Sequence, residues 1–131
     1  MTGIPARVAD ASVIATLAFG EARAAEARDL LGSAALYEPS LLLYELTSIA
    51  RNKTLQTPEA QEHISAGLVY ALSMDIRWAE VDAPGILRLA LETGLTPYDA
   101  AYLYLASVRG LPLATFDRRM REAAHSRVAL L

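Results

Sequence analysis

Short apolar runs of strand length alternate along this chain with longer stretches of helical period, and that alternation limits the fold more than any other feature. Arg7-Val8-Ala9 reads as a short strand, followed by helices over Ser12–Ala18 and Glu21–Leu31. Gly32 stands where a helix-ending glycine belongs. Ala35–Tyr37 reads as a second strand, and Ser40 as the N-cap of a helix running to about Leu55. Thr57-Pro58-Glu59 opens the next helix with proline at its first position, reaching about Ser73. Ile76–Val81 alternates as a strand does, with Ile76, Trp78 and Glu80 on one face. Helices over Ala83–Thr93 and Thr96–Arg109 end at Gly94 and Gly110; Leu111–Thr115 is a strand, Arg118–Ala124 a helix and Val128–Leu131 a terminal strand. Strands joined by helical crossovers predict an α/β fold with a mainly parallel sheet, and such sheets place their ligand sites beyond the carboxyl ends of the strands.

No repeat, low-complexity tract or linker interrupts residues 1–131, so one domain is expected. With 53% hydrophobic and 21% charged residues, the chain has material for a core and is not of disordered type. The absence of cysteine excludes disulfides, thiolate zinc sites and cysteine nucleophiles. The longest apolar runs, such as Ala100–Ala106, fall far short of the ~20 residues that span a bilayer. Asp10, directly before the apolar stretch Ala11–Phe19, argues against a signal peptide. A cytoplasmic protein without membrane contact is the expectation. A net charge of −3 does not advertise a nucleic-acid binder, although eleven of the twelve basic residues are arginine and only Lys53 is lysine.

Four acids fall where the sheet edge is expected. Asp10 follows the first strand and Asp117 a late one, Asp99 lies in the first turn after Thr96-Pro97, and Glu45 in the first two turns after Ser40. Each has an ordinary structural reading: Asp10 and Asp117 as helix N-caps, Asp99 as the partner in a Thr96-x-x-Asp99 capping box. Glu45 lies on its helix where Tyr44, Thr47, Ser48, Arg51 and Asn52 meet Leu42, Leu46 and Ile49, a border that suits a cleft rim or a solvated Glu. As a set, converging carboxylates repel one another unless a cation intervenes. A hard ion such as Mg2+ takes one or two carboxylates, keeps several waters, and orients water for attack on phosphorus.

Four stretches resemble the PIN-domain ribonucleases, and among them the VapC-type toxins of bacterial toxin–antitoxin pairs. They are Asp10-Ala11-Ser12-Val13, Leu43-Tyr44-Glu45-Leu46, Gly94 to Tyr102 (GLTPYDAAY), and Ala114 to Met120 (ATFDRRM). Their order, the chain length and the terminal strand agree with that family, so the resemblance covers essentially the whole chain. It implies a PIN-like three-layer sandwich and Mg2+- or Mn2+-dependent endoribonucleolytic hydrolysis of RNA phosphodiesters. It also implies a homodimer and a cognate antitoxin. Asp10, Glu45, Asp99 and Asp117 match its catalytic acids, Asp10 and Asp99 as the most direct metal ligands, with Thr115 and Ser12 as supporting hydroxyls. Two departures touch local geometry: the polar run Thr2 to Arg7 before Asp10, and Ser48 where many members carry Asn.

Arg118, Arg119 and Arg121, with Arg127 nearby, are either RNA phosphate contacts or a solvated helix face. Arg51 and Lys53 read as surface residues. Trp78, Tyr70, Tyr102 and Tyr104 read as core or dimer interface, and His63 and His125 lack metal-ligand spacing. An aspartyl phosphatase or receiver domain would need a lysine after a late strand, whereas Lys53 lies in a helix. The alternative that remains is a catalytically degenerate PIN-like module binding RNA or a partner.

Overall fold

The computed structural model describes residues 3–131 and arranges four parallel strands with seven α-helices around them. β1 is Ala6–Ala9, α1 Ala11–Ala18, α2 Ala24–Leu31 and β2 Ala35–Glu38. α3 (Leu41–Gln56) and α4 (Gln61–Leu72) lead to β3 (Ile76–Trp78). α5 (Ala83–Thr93), α6 (Pro97–Arg109), β4 (Leu113–Ala114) and α7 (Arg118–Ala124) complete the order. The sheet runs β3-β2-β1-β4, every neighbouring pair parallel. β1, the central strand nearest the core, carries the fully buried Val8 and Ala9, as a strand covered on both faces requires.

Several expected boundaries shift for identifiable reasons. The last strand shrinks to a single parallel bridge, Leu113 with Leu130, flanked by Leu113 N–H to Ala129 C=O at 2.9 Å and Leu131 N–H to Leu113 C=O at 3.0 Å. β4 keeps only two residues, Leu113 and Ala114, between Pro112 and Thr115, whose hydroxyl donates to Asp10. β3 stops at Trp78, well short of Val81. Ser40 already has helical dihedrals and makes no side-chain cap, and Thr57 does not cap either; Pro58–Ala60 form a single 3-10 turn ahead of α4. α2 begins at Ala24, not Glu21, since Glu21 C=O accepts the Ala24 N–H (2.9 Å) in the turn before it. Thr2, part of the polar run noted before β1, lies outside the described residues. Within that run Arg7 is accounted for: its Nη1 donates to the Leu30 carbonyl near the end of α2.

Two glycines are required by geometry. Gly94 ends α5 at φ 75°, the left-handed region that glycine enters without penalty. Gly85 faces Tyr104, where a Cβ would stand 2.5 Å from Cε1, so its bareness allows α5 to lie against α6. The Tyr102 ring and Leu103 and Leu105 of α6 are buried against the sheet, which fixes the start of α6, and Asp99 with it, above the strand ends.

Candidate active site

From β1 the chain proceeds to β2 and β3 on one side and returns to β4 on the other. The crevice outside the carboxyl ends of β1 and β4 is therefore the switch point where parallel sheets bind ligands. Asp10 is the first residue beyond β1 and is only 5% exposed. Its Oδ1 accepts the N–H of Ser12 (3.1 Å), the N–H of Val13 (3.3 Å) and the Ser12 hydroxyl (2.5 Å). Its Oδ2 accepts the Thr115 hydroxyl. Thr115 Oγ1 in turn accepts the Asp117 N–H at 3.0 Å, and Ser12 Oγ the Phe116 N–H at 3.4 Å. Ser12 and Thr115 thus stitch the end of β1 to the end of β4. The cap reading of Asp10 is fulfilled: its carboxylate caps α1, at the end of β1 where the crevice opens.

Asp117 is exposed and caps α7, accepting the Met120 N–H at 2.8 Å. Asp99 is half-buried in the first turn of α6, where Thr96 Oγ1 accepts its N–H at 3.1 Å. Glu45 is half-buried on α3, at the border position its helical spacing indicates, and its Oε1 accepts the Tyr102 hydroxyl at 2.5 Å.

Asp10, Glu45 and Asp99 are each shifted by burial and by a neighbouring carboxylate. Burial, chiefly, raises the pKa of Asp10; the bonds from Ser12, Thr115 and Val13 pull it down, and the charge of Asp99 pushes it up. Burial also raises Glu45, opposed by the Tyr102 bond and reinforced by Asp99 and Asp10. Asp99 is raised by burial and then by Asp117, against the lowering effects of Thr96 and Arg119. Burial and Glu45 together drive the Tyr102 phenol far above its ordinary range, so it stays a hydrogen-bond donor. Like charges gathered at one edge, with Arg119 bearing on Asp99, repel one another unless a cation intervenes.

Among the described residues, no three acidic or histidine side chains stand close enough to hold one ion between them. Mg2+ does not require three, since one or two carboxylates and retained waters suffice. In donor chemistry the residues fit such an ion: hard oxygen donors, mutually repelling, with the Asp10 carboxylate held by hydroxyl and amide donors.

The arginines divide. Arg121 Nη1 donates to the carbonyls of Thr115 and Leu131, both at 3.2 Å, and Arg119 Nη2 to Gly94 C=O at 3.0 Å, so each ties the chain together. Arg118 is 91% exposed and pairs only with Glu122, at 3.1 Å. Arg127 reaches Glu92 at 3.5 Å. His63 and His125 are exposed. Of the two readings, core or dimer interface, the core does not hold Trp78 (49% exposed) or Tyr70 (52%), because β3 is an edge strand and Tyr70 faces outward from α4. Tyr102 is buried as expected, yet it belongs to the site through Glu45 rather than to the apolar core alone.

One site-proximal acid escaped the sequence reading. Glu38, the last residue of β2, is completely buried; its Oε2 accepts the Ala9 N–H at 2.9 Å and its Oε1 has no partner. Burial holds its carboxyl well above the usual range, and Asp10 adds to that. The signal was present: a charged residue just before Pro39 in a run that a parallel sheet needs apolar.

With this geometry in place, comparison with known proteins defines the class. The PIN domain family model matches residues 7–126, and the chain belongs to the PIN-domain family, on its VapC side. It is 34% identical over 121 residues to Ribonuclease VapC3 of Pyrobaculum aerophilum, covering 88% of this chain and 92% of that one. A 35-residue stretch is 54% identical to Exonuclease VapC9 of the same organism, 27% of this chain and 26% of that one. Among solved structures, PAE2754 from Pyrobaculum aerophilum superposes with a TM-score of 0.74 at 26% identity, covering 98% of this chain and 92% of the other. VapBC2 from Rickettsia felis, bound to a DNA fragment from its promoter, gives 0.65 at 13% identity over 96% and 97%, a likeness of fold.

Proposed function

We propose that this chain is a divalent-metal-dependent endoribonuclease acting as the toxin of a toxin–antitoxin pair, with Asp10, Glu45, Asp99 and Asp117 as its catalytic acids. The observation that carries the reading is that acids from four separate segments lie along the switch-point edge, where Asp99 bears on Asp10, Asp10 and Asp99 bear on Glu45, and Asp117 bears on Asp99. Kinship with Ribonuclease VapC3 supports RNA as the substrate.

Asp10 and Asp99 are the direct ligands of Mg2+ or Mn2+, with Glu45 and Asp117 completing the acidic rim. The ion, when bound, supplies charge neutralisation at the scissile phosphate and polarises water. Asp10 is presented in one orientation by Ser12 and Thr115. Tyr102 orients Glu45 and, as a permanent donor, holds it for hydrogen bonding to water or to the leaving side of the phosphodiester. Asp117 reaches the crevice from the cap of α7, and Arg118, exposed and paired with Glu122 on its own helix, is placed to meet RNA phosphate.

The partners follow the same reading: RNA, a cognate antitoxin and a second copy of the chain. The neighbour VapBC2 supports the antitoxin by kinship of fold. Exposed Tyr44, Leu87, Leu91 and Tyr98 on α3, α5 and α6 provide apolar surface for protein contacts. Among the described residues, no helix is long and apolar enough to cross a membrane, and a cytoplasmic location belongs to the proposal.

The test is cleavage of a mixed cellular RNA pool by purified protein with Mn2+ or Mg2+, with EDTA, and with Asp99→Asn. Discrete internal fragments that require both metal and Asp99 are expected. Cleavage that persists in EDTA or in folded Asp99→Asn overturns the assignment.

A further inference from the structure

Pairing between β1 and β2 runs through Ala6 with Ala35 and Arg7 with Leu36 and ends there, while pairing between β1 and β4 continues to Ala9 with Ala114. Beyond that point Asp10 N–H still donates to Ala114 C=O at 3.1 Å. The two sides of β1 are thus held differently at the edge where Asp10 emerges. On the β4 side the backbone ladder holds it. On the β2 side the last donor, Ala9 N–H, meets not a backbone carbonyl but the Glu38 carboxylate at 2.9 Å. Pro39 follows at once, without an N–H to extend a ladder.

This is an unfavourable place for a carboxyl group. Glu38 is fully buried, and its Oε1 is the one buried side-chain polar atom without a partner among the described residues. An apolar residue would avoid that cost. Local rules broken in this way concentrate at functional sites. Glu38 also lies close enough to Asp10 to feel its charge, and close enough to Tyr102 to bear on it, beneath two components of the acidic site.

We propose that Glu38 is a positioning residue: by capping the β2 side of β1 at Ala9, it fixes the direction in which Asp10 presents its carboxylate to a bound divalent cation. The proposal rests on the reading of Asp10 as a metal ligand. Ser12 and Thr115 orient the Asp10 carboxylate itself, whereas Glu38 orients the backbone that carries it. Without its acceptor the strand end is held from one side only, and Asp10 is free to pivot about the β4 ladder.

The experiment compares Glu38→Gln, which keeps a side-chain oxygen for Ala9 N–H, with Glu38→Leu, which keeps volume but removes the acceptor. Mn2+ affinity is measured by calorimetry on the full chain, each variant first shown to melt cooperatively. Hydrogen exchange of the Ala9 amide is followed in EDTA as a metal-free readout. Gln is expected to bind Mn2+ within about twofold of wild type with Ala9 still protected. Leu is expected to bind about tenfold more weakly or worse, the scale for a residue one step removed from a metal, with Ala9 exposed to exchange. If Leu does not fold, Glu38→Met is measured in its place. A folded Leu or Met variant with wild-type affinity overturns the proposal alone, as does a Gln variant as weak as Leu. Wild-type protein that binds no Mn2+ overturns the four-acid reading and this proposal with it.

Discussion

Asp10→Asn separates the capping of α1 by Asp10 from the metal-ligand role proposed for it. The amide oxygen takes the place of Oδ1, which accepts from Ser12 N–H, Val13 N–H and the Ser12 hydroxyl, so the cap of α1, about 1 kcal/mol, survives. The amide nitrogen takes the place of Oδ2 and faces the Thr115 hydroxyl, which already accepts Asp117 N–H and now loses the acceptor for its own proton. A buried donor left without a partner costs about 1–3 kcal/mol. Opposing this, a carboxyl group whose burial already penalises its charge becomes neutral. The net loss is no more than about 2 kcal/mol, or roughly 8 °C in Tm for a domain of this size. Asp10→Ala forfeits the cap as well and melts about 4 °C lower again. Calorimetric melting in EDTA, paired with Mn2+-dependent RNA cleavage, reads both quantities. Asp10→Asn is expected to remain folded and to lose more than about 100-fold in cleavage, beyond the 10–100-fold typical of residues one step from a metal. A folded Asp10→Asn that still cleaves refutes the ligand role; one that melts far lower shows that its lost activity is lost fold.

Three further outcomes are expected. Asp10, Glu38, Glu45 and Asp99 all have raised folded-state values, so the folded protein binds more protons than the unfolded chain. Stability in EDTA should therefore rise on acidification from pH 7 until the unfolded carboxylate values of 3.8 and 4.5 are approached, and saturating Mn2+ should reverse that trend; melting temperatures that fall between pH 7 and pH 5 in EDTA contradict it. Tyr102→Phe removes the bond that lowers Glu45, shifting the acid limb of the cleavage profile to higher pH at a stability cost of about 1 kcal/mol; an unmoved limb removes Glu45 from the titrating machinery. Arg118→Ala should raise KM for RNA without changing Tm, whereas Arg121→Ala should lower Tm by untying Thr115 and Leu131; the reverse pattern gives the phosphate contact to Arg121.

Helix ends carried in local chemistry were legible. Asp10, Thr96 and Asp117 cap the helices that follow them, and Gly94 and Gly110 end theirs at positive φ. Ser40 does not cap α3, because a residue suited to capping is used only where the chain enters in extended conformation, and Ser40 enters already helical. Whether Trp78 is buried in the core was not legible, because the exposure of an aromatic depends on whether its strand lies at the edge, which pairing decides.

By itself the sequence determined the alternation of elements, the parallel class of the sheet and the acids at its carboxyl edge, since caps, glycine stops and helical periodicity act over a few residues. Which side chains meet was decided only by tertiary structure. Tyr102 and Glu45 are 57 positions apart, and Thr115 and Asp10 are 105 apart. Glu38 became part of the site only when β1 outran its pairing with β2 and left Ala9 N–H to a carboxylate. Hydrogen bonds and charge repulsion depend on distance in space, and that distance is set by how the sheet orders its strands.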